Sequence, residues 1–175
     1  LAYEVQRFPA VQIPEGHAGV VTLLSGDDPK QRNTFTVAVG EKGVQHETLP
    51  PGSEYYNPYL KHIEVVDVRS QRYDMLGDDA IHFPSNDSFM ITIEGTIEWA
   101  IRPDRVAEIT VAYGDSSDIL DKIIIPYVRG IARIQGSKLA AREFISGKTR
   151  KAFQDRFLAE LKRECFEQGV EIRAA

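Results

Sequence analysis

The chain is poor in the residues that staple or anchor a fold. It has one cysteine, Cys165, along with two methionines and one tryptophan in 175 residues. A single thiol cannot close an internal disulfide or build a cysteine zinc cluster. Long hydrophobic runs are also missing. "VVTLL" at 20–24 and "III" at 123–125 are the longest, far short of the ~20 apolar residues of a membrane-spanning helix. Nor is there an excess of positive charge: 21 Lys and Arg face 26 Asp and Glu, a net charge of -5. That balance argues against non-specific nucleic-acid binding, which needs many cations facing phosphates.

Catalytic and ligand signatures are missing as well. There is no G-x-S-x-G, P-loop or dinucleotide fingerprint, and "GDDPK" and "GEKG" lack the lysine spacing and strand-to-helix context of a phosphate cradle. His17, His46, His62 and His82 fall at irregular spacing without an H-x-x-x-H or Cys-His pattern, so they read as surface or hydrogen-bonded histidines. "GDD" at 77–79, with Asp74 and Asp87, lacks the ordered spacing of a calcium loop and reads as a solvated loop. Cys165 lies near a helix C-terminus, where the dipole disfavours a thiolate, and reads as a packed thiol. The expectation is no catalytic residue, no cofactor and no metal.

What is present is the material of an ordinary globular chain, 42% hydrophobic and 27% charged, enough for one domain or two small lobes. It opens "LAYEVQ", without a Met or a signal-like region, and closes "VEIRAA", so it reads as an excised segment of something longer. Charge is unevenly spread. Residues 1–113 carry 9 basic and 17 acidic side chains, residues 114–175 carry 12 and 9. The halves are thus at -8 and +3, which suits a head-to-tail partner; the alternative is two solvated faces.

Periodicity also divides the chain in two. In "FMITIEGTIEWAI" (89–101), Phe89, Ile91, Ile93, Ile97, Trp99 and Ile101 share one side and Thr92, Glu94, Thr96 and Glu98 the other, which predicts one half-buried strand. "TFTVAV" (34–39), the glycines of "GEKG" and "VQHETL" predict a hairpin. "HAGVVTLL" (17–24) is another strand. In "KHIEVVDVRS" the apolar order slips by one residue, predicting a bulge or burial on both faces. "LPPG" and the "NP" at 57–58 make a corner between strands, because proline cannot donate to a ladder. Tyr55, Tyr56 and Tyr59 around it either pack the corner or form a binding patch.

After Arg102 the period becomes about 3.6. Pro103, Val106, Ile109, Tyr113 and Gly114 predict a short helix. Ser116 or Ser117 caps the next, whose stripe is Ile119, Ile123, Tyr127, Ile131 and Ile134, with Pro126 kinking or splitting it. Ser137 caps a helix through Phe144. Residues 146–168 carry Phe153, Phe157, Leu161 and Cys165, and "VEI" returns as a strand. The fold class is therefore α+β: a twisted antiparallel β lobe, about 1–113, then a helical lobe, 114–175, with a C-terminal strand.

Five stretches together resemble one family: "PEGHAGVV" (14–21), "KGVQHETLPPGSEYYNPY" (42–59), "IEVVDVRSQRY" (63–73), "ITIEGTIEWAI" (91–101) and 119–172, which runs from "ILDKIIIPYVRGIARIQ" to "GVEI". The resemblance is to the stomatin, prohibitin and flotillin domain, SPFH or band-seven, and it covers nearly the whole chain in order. Inserts at 74–87 and 26–33 depart from the pattern. The resemblance implies a non-enzymatic scaffold that forms homo-oligomers or hetero-oligomers on membranes and organises partners such as membrane proteases and channels. It also implies a membrane segment upstream and a coiled coil downstream, both absent from this chain, so the segment itself is expected to be soluble and at most weakly associating. Two alternatives stay open: a soluble vault-like shell subunit, and a hydrolytic enzyme with an unrecognised site.

"GKTRK" (147–151) is the sharpest local anomaly, because Lys148, Arg150 and Lys151 begin a long helix, where the dipole disfavours cations. Arg129 and Arg133 lie one turn apart on the preceding helix. Arg129, Arg133, Lys148 and Arg150 are therefore the candidate oligomer contact, meeting carboxylates of a neighbouring acidic lobe. The alternative is intrachain pairing with Glu143 and Asp155.

Overall fold

Short alternating stretches give short strands here, and the structure, a computed structural model, describes residues 6–31, 34–145 and 147–175. It holds antiparallel sheets, a helical region and a C-terminal strand, the expected α+β class. Its two compact units are each assembled from two stretches of chain. One takes residues up to Arg69 with Pro103–Gly114, the other Ser70–Arg102 with Asp115–Ala175.

In the first unit, β1 (Val11–Ile13) precedes β2 (His17–Leu23), and β3 (Gly43–Val44), β4 (Gly52–Glu54) and β5 (Lys61–Asp67) follow. β2 lies between β3 and β5, while β1 pairs with β4. Gly19 bonds Leu49 through both backbone groups, at 2.9 and 2.8 Å. A side chain at Gly19 would put its Cβ 2.7 Å from Ile13 Cδ1, so glycine is what permits that approach. Past Leu49, Pro50 and Pro51 offer no donor, and the chain turns into β4 as the expected corner. Tyr59 packs edge-on against Phe8 and Tyr56 lies under Lys61, whereas Tyr55 is 82% exposed. After a 3-10 turn at Pro103–Arg105, α1 (Val106–Tyr113) buries Val106, Ala107 and Ile109 and stops at Gly114, as its punctuation predicts.

Two strand expectations fail in this unit. "TFTVAV" forms no hairpin: Val37 makes only an isolated parallel bridge to Gln45, and Phe35 and Val39 are exposed. Alternation needs a face to bury, and this segment has none. β5 has neither a bulge nor two buried faces. Its pairing with β2 runs unshifted from His17↔Asp67 to Leu23↔Lys61, and the slip leaves Val65 exposed between buried Ile63 and Val66.

In the second unit come β6 (Gln71–Met75), β7 (Ile81–Pro84), β8 (Met90–Ile93) and β9 (Gly95–Ile101), then α2 (Ser116–Ile119), α3 (Ile125–Gly136), α4 (Ala141–Ile145), α5 (Gly147–Glu167) and β10 (Val170–Ala174). β9 lies between β10 and β6, with Trp99 opposite both Ile172 and Gln71. The predicted single strand over 89–101 is two. It breaks at Glu94, so β8 pairs with β7 and β9 with β6 and β10, and Phe89 is exposed. Gly95 marks the break, as glycine in a strand commonly does.

The helix caps also differ from expectation. Asp115, not Ser116 or Ser117, caps α2, its Oδ1 accepting from the N–H groups of Ser117 and Asp118 at 2.9 and 3.0 Å. Pro126 has no N–H, and the chain passes it through a π turn, Leu120–Ile124, with the Ile125 N–H bonded to the Leu120 carbonyl. The extra residue leaves Ile119, Ile123 and Ile131 buried but turns Ile134 out. Ser137 closes α3 rather than opening a helix. α4 begins later: Asp87 accepts the Ala141 N–H at 2.8 Å, and Glu143 accepts the Ala140 N–H at 2.7 Å. Ser146, the expected start of the long helix, lies outside the described residues. α5 buries Phe153, Leu161 and Cys165, and Gly169 (φ 89°) turns the chain into β10.

Candidate functional site

Arg129 and Arg133 stand one turn apart on α3, and Lys148 and Arg150 belong to the first turn of α5. All four are exposed. Among the described residues none of the four side chains makes a hydrogen bond or ion pair, unlike the exposed Lys122, which bonds Asp118 at 2.6 Å. Glu143, one of the alternative partners, accepts the Ala140 N–H through one oxygen and bonds none of the four. Three cations thus begin α5, counting Lys151, where the dipole makes each unfavourable by roughly 0.3–1 kcal/mol.

Arg150 also borders a groove of about 430 Å³, within the second unit, whose walls include Ile91, Ile93, Phe144, Phe153 and Phe157. Behind it the rings form a continuous cluster. Phe144 meets Phe153 edge-on at 5.2 Å, Phe153 stacks on Phe157 at 6.1 Å, and Phe83 lies 5.9 Å from Phe144 and 6.1 Å from Phe153. Phe83 reaches α3 because Gly136 has no side chain; a Cβ there would run into the Phe83 ring. The helical stripe gave Phe153 and Phe157. The rest of the groove was not legible, since its walls come from separated stretches of chain.

The other candidate residues have structural partners. Arg69 grips Asp67 with its Nε at 2.9 Å and Nη2 at 2.6 Å, and this hydrogen bonding holds the Asp67 carboxyl down to about 2. Gln71 donates to Ser116 at 2.8 Å. Asp67 also accepts the Arg69 N–H, at 2.9 Å, so these side chains serve the fold. Asp74 is held by Arg72 and Thr96, which lower its pKa, and Asp87 by Ser85 and the Ala141 N–H, with the same effect. Among the described residues no three His, Cys, Asp or Glu side chains gather where they could hold a metal ion. His17 contacts the Glu15 carbonyl and His82 the Thr92 hydroxyl. Cys165 is fully buried, and burial pushes its thiol up to about 12, so it is the packed thiol expected.

No described helix is long and apolar enough to cross a membrane. No curated protein matches the chain. A family model does, over residues 11–175, and its description is SPFH domain / Band 7 family.

Proposed function

Since the chain belongs to the SPFH, or Band 7, family, we propose that it is a non-enzymatic scaffold subunit that assembles with its own kind or with relatives and organises membrane-bound proteins. The family is generally non-enzymatic and membrane-associated, and its members are commonly membrane scaffold proteins. One observation on this chain carries the reading: Arg129, Arg133, Lys148 and Arg150 are exposed and unpaired among the described residues, two of them where a helix dipole opposes them. Cations at such positions are open to carboxylates from outside. The acidic residues before 113 provide these on a neighbouring copy, in a head-to-tail contact of the kind that closes rings.

Each such contact, partly desolvated, is worth ~1–3 kcal/mol. Arg129→Glu combined with Arg150→Glu in the full-length protein is expected to shrink the assemblies seen by mass photometry. The thermal midpoint of the 175-residue chain carrying the same changes should stay in place. Intact assemblies would overturn the contact. A collapsed midpoint would assign these arginines to the fold of their own subunit.

A further inference from the structure

Glu41 is the one acidic side chain buried among the described residues, at 8% exposure, and its carboxylate makes no hydrogen bond or ion pair with any of them. A carboxylate so placed costs free energy until it is paired. It is not sealed, because neither of its oxygens is both unbonded and cut off from solvent. Glu41 lines a cavity of about 270 Å³ with Lys30, Gln31, Thr34 and Thr36, which offers the opening. This cavity is held in shape. Gln45, 7% exposed, donates to the Glu41 and Gly43 carbonyls at 2.9 and 3.1 Å and accepts the Gly40 N–H at 3.2 Å, which fixes the turn that carries Glu41. Gly26 lies against the same turn, where a Cβ would stand 2.6 Å from the Gly40 carbonyl oxygen. Thr34 and Thr36 are alternate residues of the stretch that forms no hairpin, and Lys30 and Gln31 belong to the insert at 26–33. No second acidic side chain lines the cavity among the described residues, so it suits one organic cation better than a metal ion, which takes several oxygen ligands.

We propose that this cavity receives the guanidinium of an arginine from the α3 and α5 patch of a neighbouring copy, and is thus the acidic half of the assembly contact. The inference rests on the assembly reading and names the carboxylate which that reading leaves open. A guanidinium forks onto a carboxylate with two N–H groups and has three more to give, which the Thr34 and Thr36 hydroxyls and the Gln31 carbonyl can accept. An ammonium has three in all. Arg129, Arg133 and Arg150 are exposed and unpaired among the described residues. The cavity belongs wholly to the first unit and these arginines to the second, the two different surfaces that a head-to-tail contact joins. Lys30, exposed at the same cavity, makes no ion pair with Glu41 and is the competing partner within the chain.

Mass photometry of full-length Glu41→Gln, which keeps the shape and removes the charge, is the test. The protein concentration at which assemblies form should rise about tenfold or more. Arg129→Glu with Arg150→Glu should act alike, and Glu41→Arg added to that pair should restore the assemblies. Glu64→Gln, at an exposed carboxylate of β5 outside the cavity, should change nothing. The thermal midpoint of the 175-residue chain with Glu41→Gln should hold or rise, since the free subunit loses a buried charge that nothing pairs. Assemblies that shrink with the arginine pair and not with Glu41→Gln would overturn this inference and leave the assembly contact standing. Assemblies untouched by either change would sink both. An equal loss from Glu64→Gln would replace the cavity by a general attraction between charges, and a lowered midpoint for Glu41→Gln would give the carboxylate to Lys30 of its own chain; either result overturns the proposal. Glu41→Gln serves even where Glu41→Arg fails to fold.

Discussion

Of the twelve largest side chains that are fully buried among the described residues, ten lie in the second unit, Trp99, Phe83 and Leu161 among them. The first unit contributes Val106 and Ile109. Both come from α1, the stretch that joins that unit from far along the sequence. The first unit also leaves Phe8, Tyr55, Tyr59 and Leu60 exposed. One unit is thus organised around a packed interior of aromatic and branched residues. The other is a frame of paired strands whose small interior closes on one helix. Burial, more than strand content, separates the two regions.

The sharpest way to break this contrast is truncation inside each core. Trp99→Ala should destabilise the second unit by about 3–5 kcal/mol, and Ile109→Ala the first by about 2–4 kcal/mol, both read from urea midpoints. The pattern of loss matters more than its size. Ile109→Ala should release amide protection in β2 and β5 while Cys165, buried on α5, stays unreactive to a thiol reagent. Cys165 labelling at the same rate as that loss would erase the distinction between the units.

A glycine pair on α3 gives a smaller test. Gly136→Ala drives a Cβ into the Phe83 ring and should cost about 1–3 kcal/mol, whereas Gly130 has nothing within 4 Å of such a Cβ and Gly130→Ala should stabilise the helix by roughly 0.5–1 kcal/mol. Opposite shifts in thermal midpoint would confirm that packing, not helix propensity, governs this unit. Shifts of the same sign would count against it.

The smallest effect belongs to the first unit and to pH. Asp67 has its pKa held down to about 2, first by its hydrogen bonds from Arg69. Its folded value lies below the unfolded one, so the stabilisation is complete above the ordinary carboxylate range and is lost as pH falls from about 4 through about 2. Asp67→Asn should flatten that part of the stability curve. An NMR titration placing the Asp67 carboxyl near its ordinary value would refute the assignment.

The sequence was most legible where punctuation and period agreed. Pro103, the Val106–Ile109–Tyr113 spacing and Gly114 delimit α1, and Phe153, Leu161 and Cys165 mark the buried side of α5. It was least legible where two residues of equal local merit competed, as with Asp115 and Ser116 for one cap, or where alternation met no partner face, as in "TFTVAV". Membership of α1 in the first unit and the walls of the groove depend on which distant segments meet, which no window of sequence contains. Arg150 was found through a purely local conflict between its charge and the helix dipole, which is why it could be named while the groove beside it could not.

The π turn at Leu120–Ile124 acts as a phase shifter. One added residue advances the helix by about 100°. The buried face that begins with Ile119 and Ile123 therefore continues not through Tyr127 and Ile134 but one place later, through Val128, Ala132 and Gly136, with Ile131 beside them. Gly136 comes to lie under Phe83 only because of that advance. Arg129 and Arg133 are carried round by the same angle. A proline that donates no bond thus sets, from about one turn before Arg129 and two before Arg133, the direction in which the two guanidinium groups leave the helix.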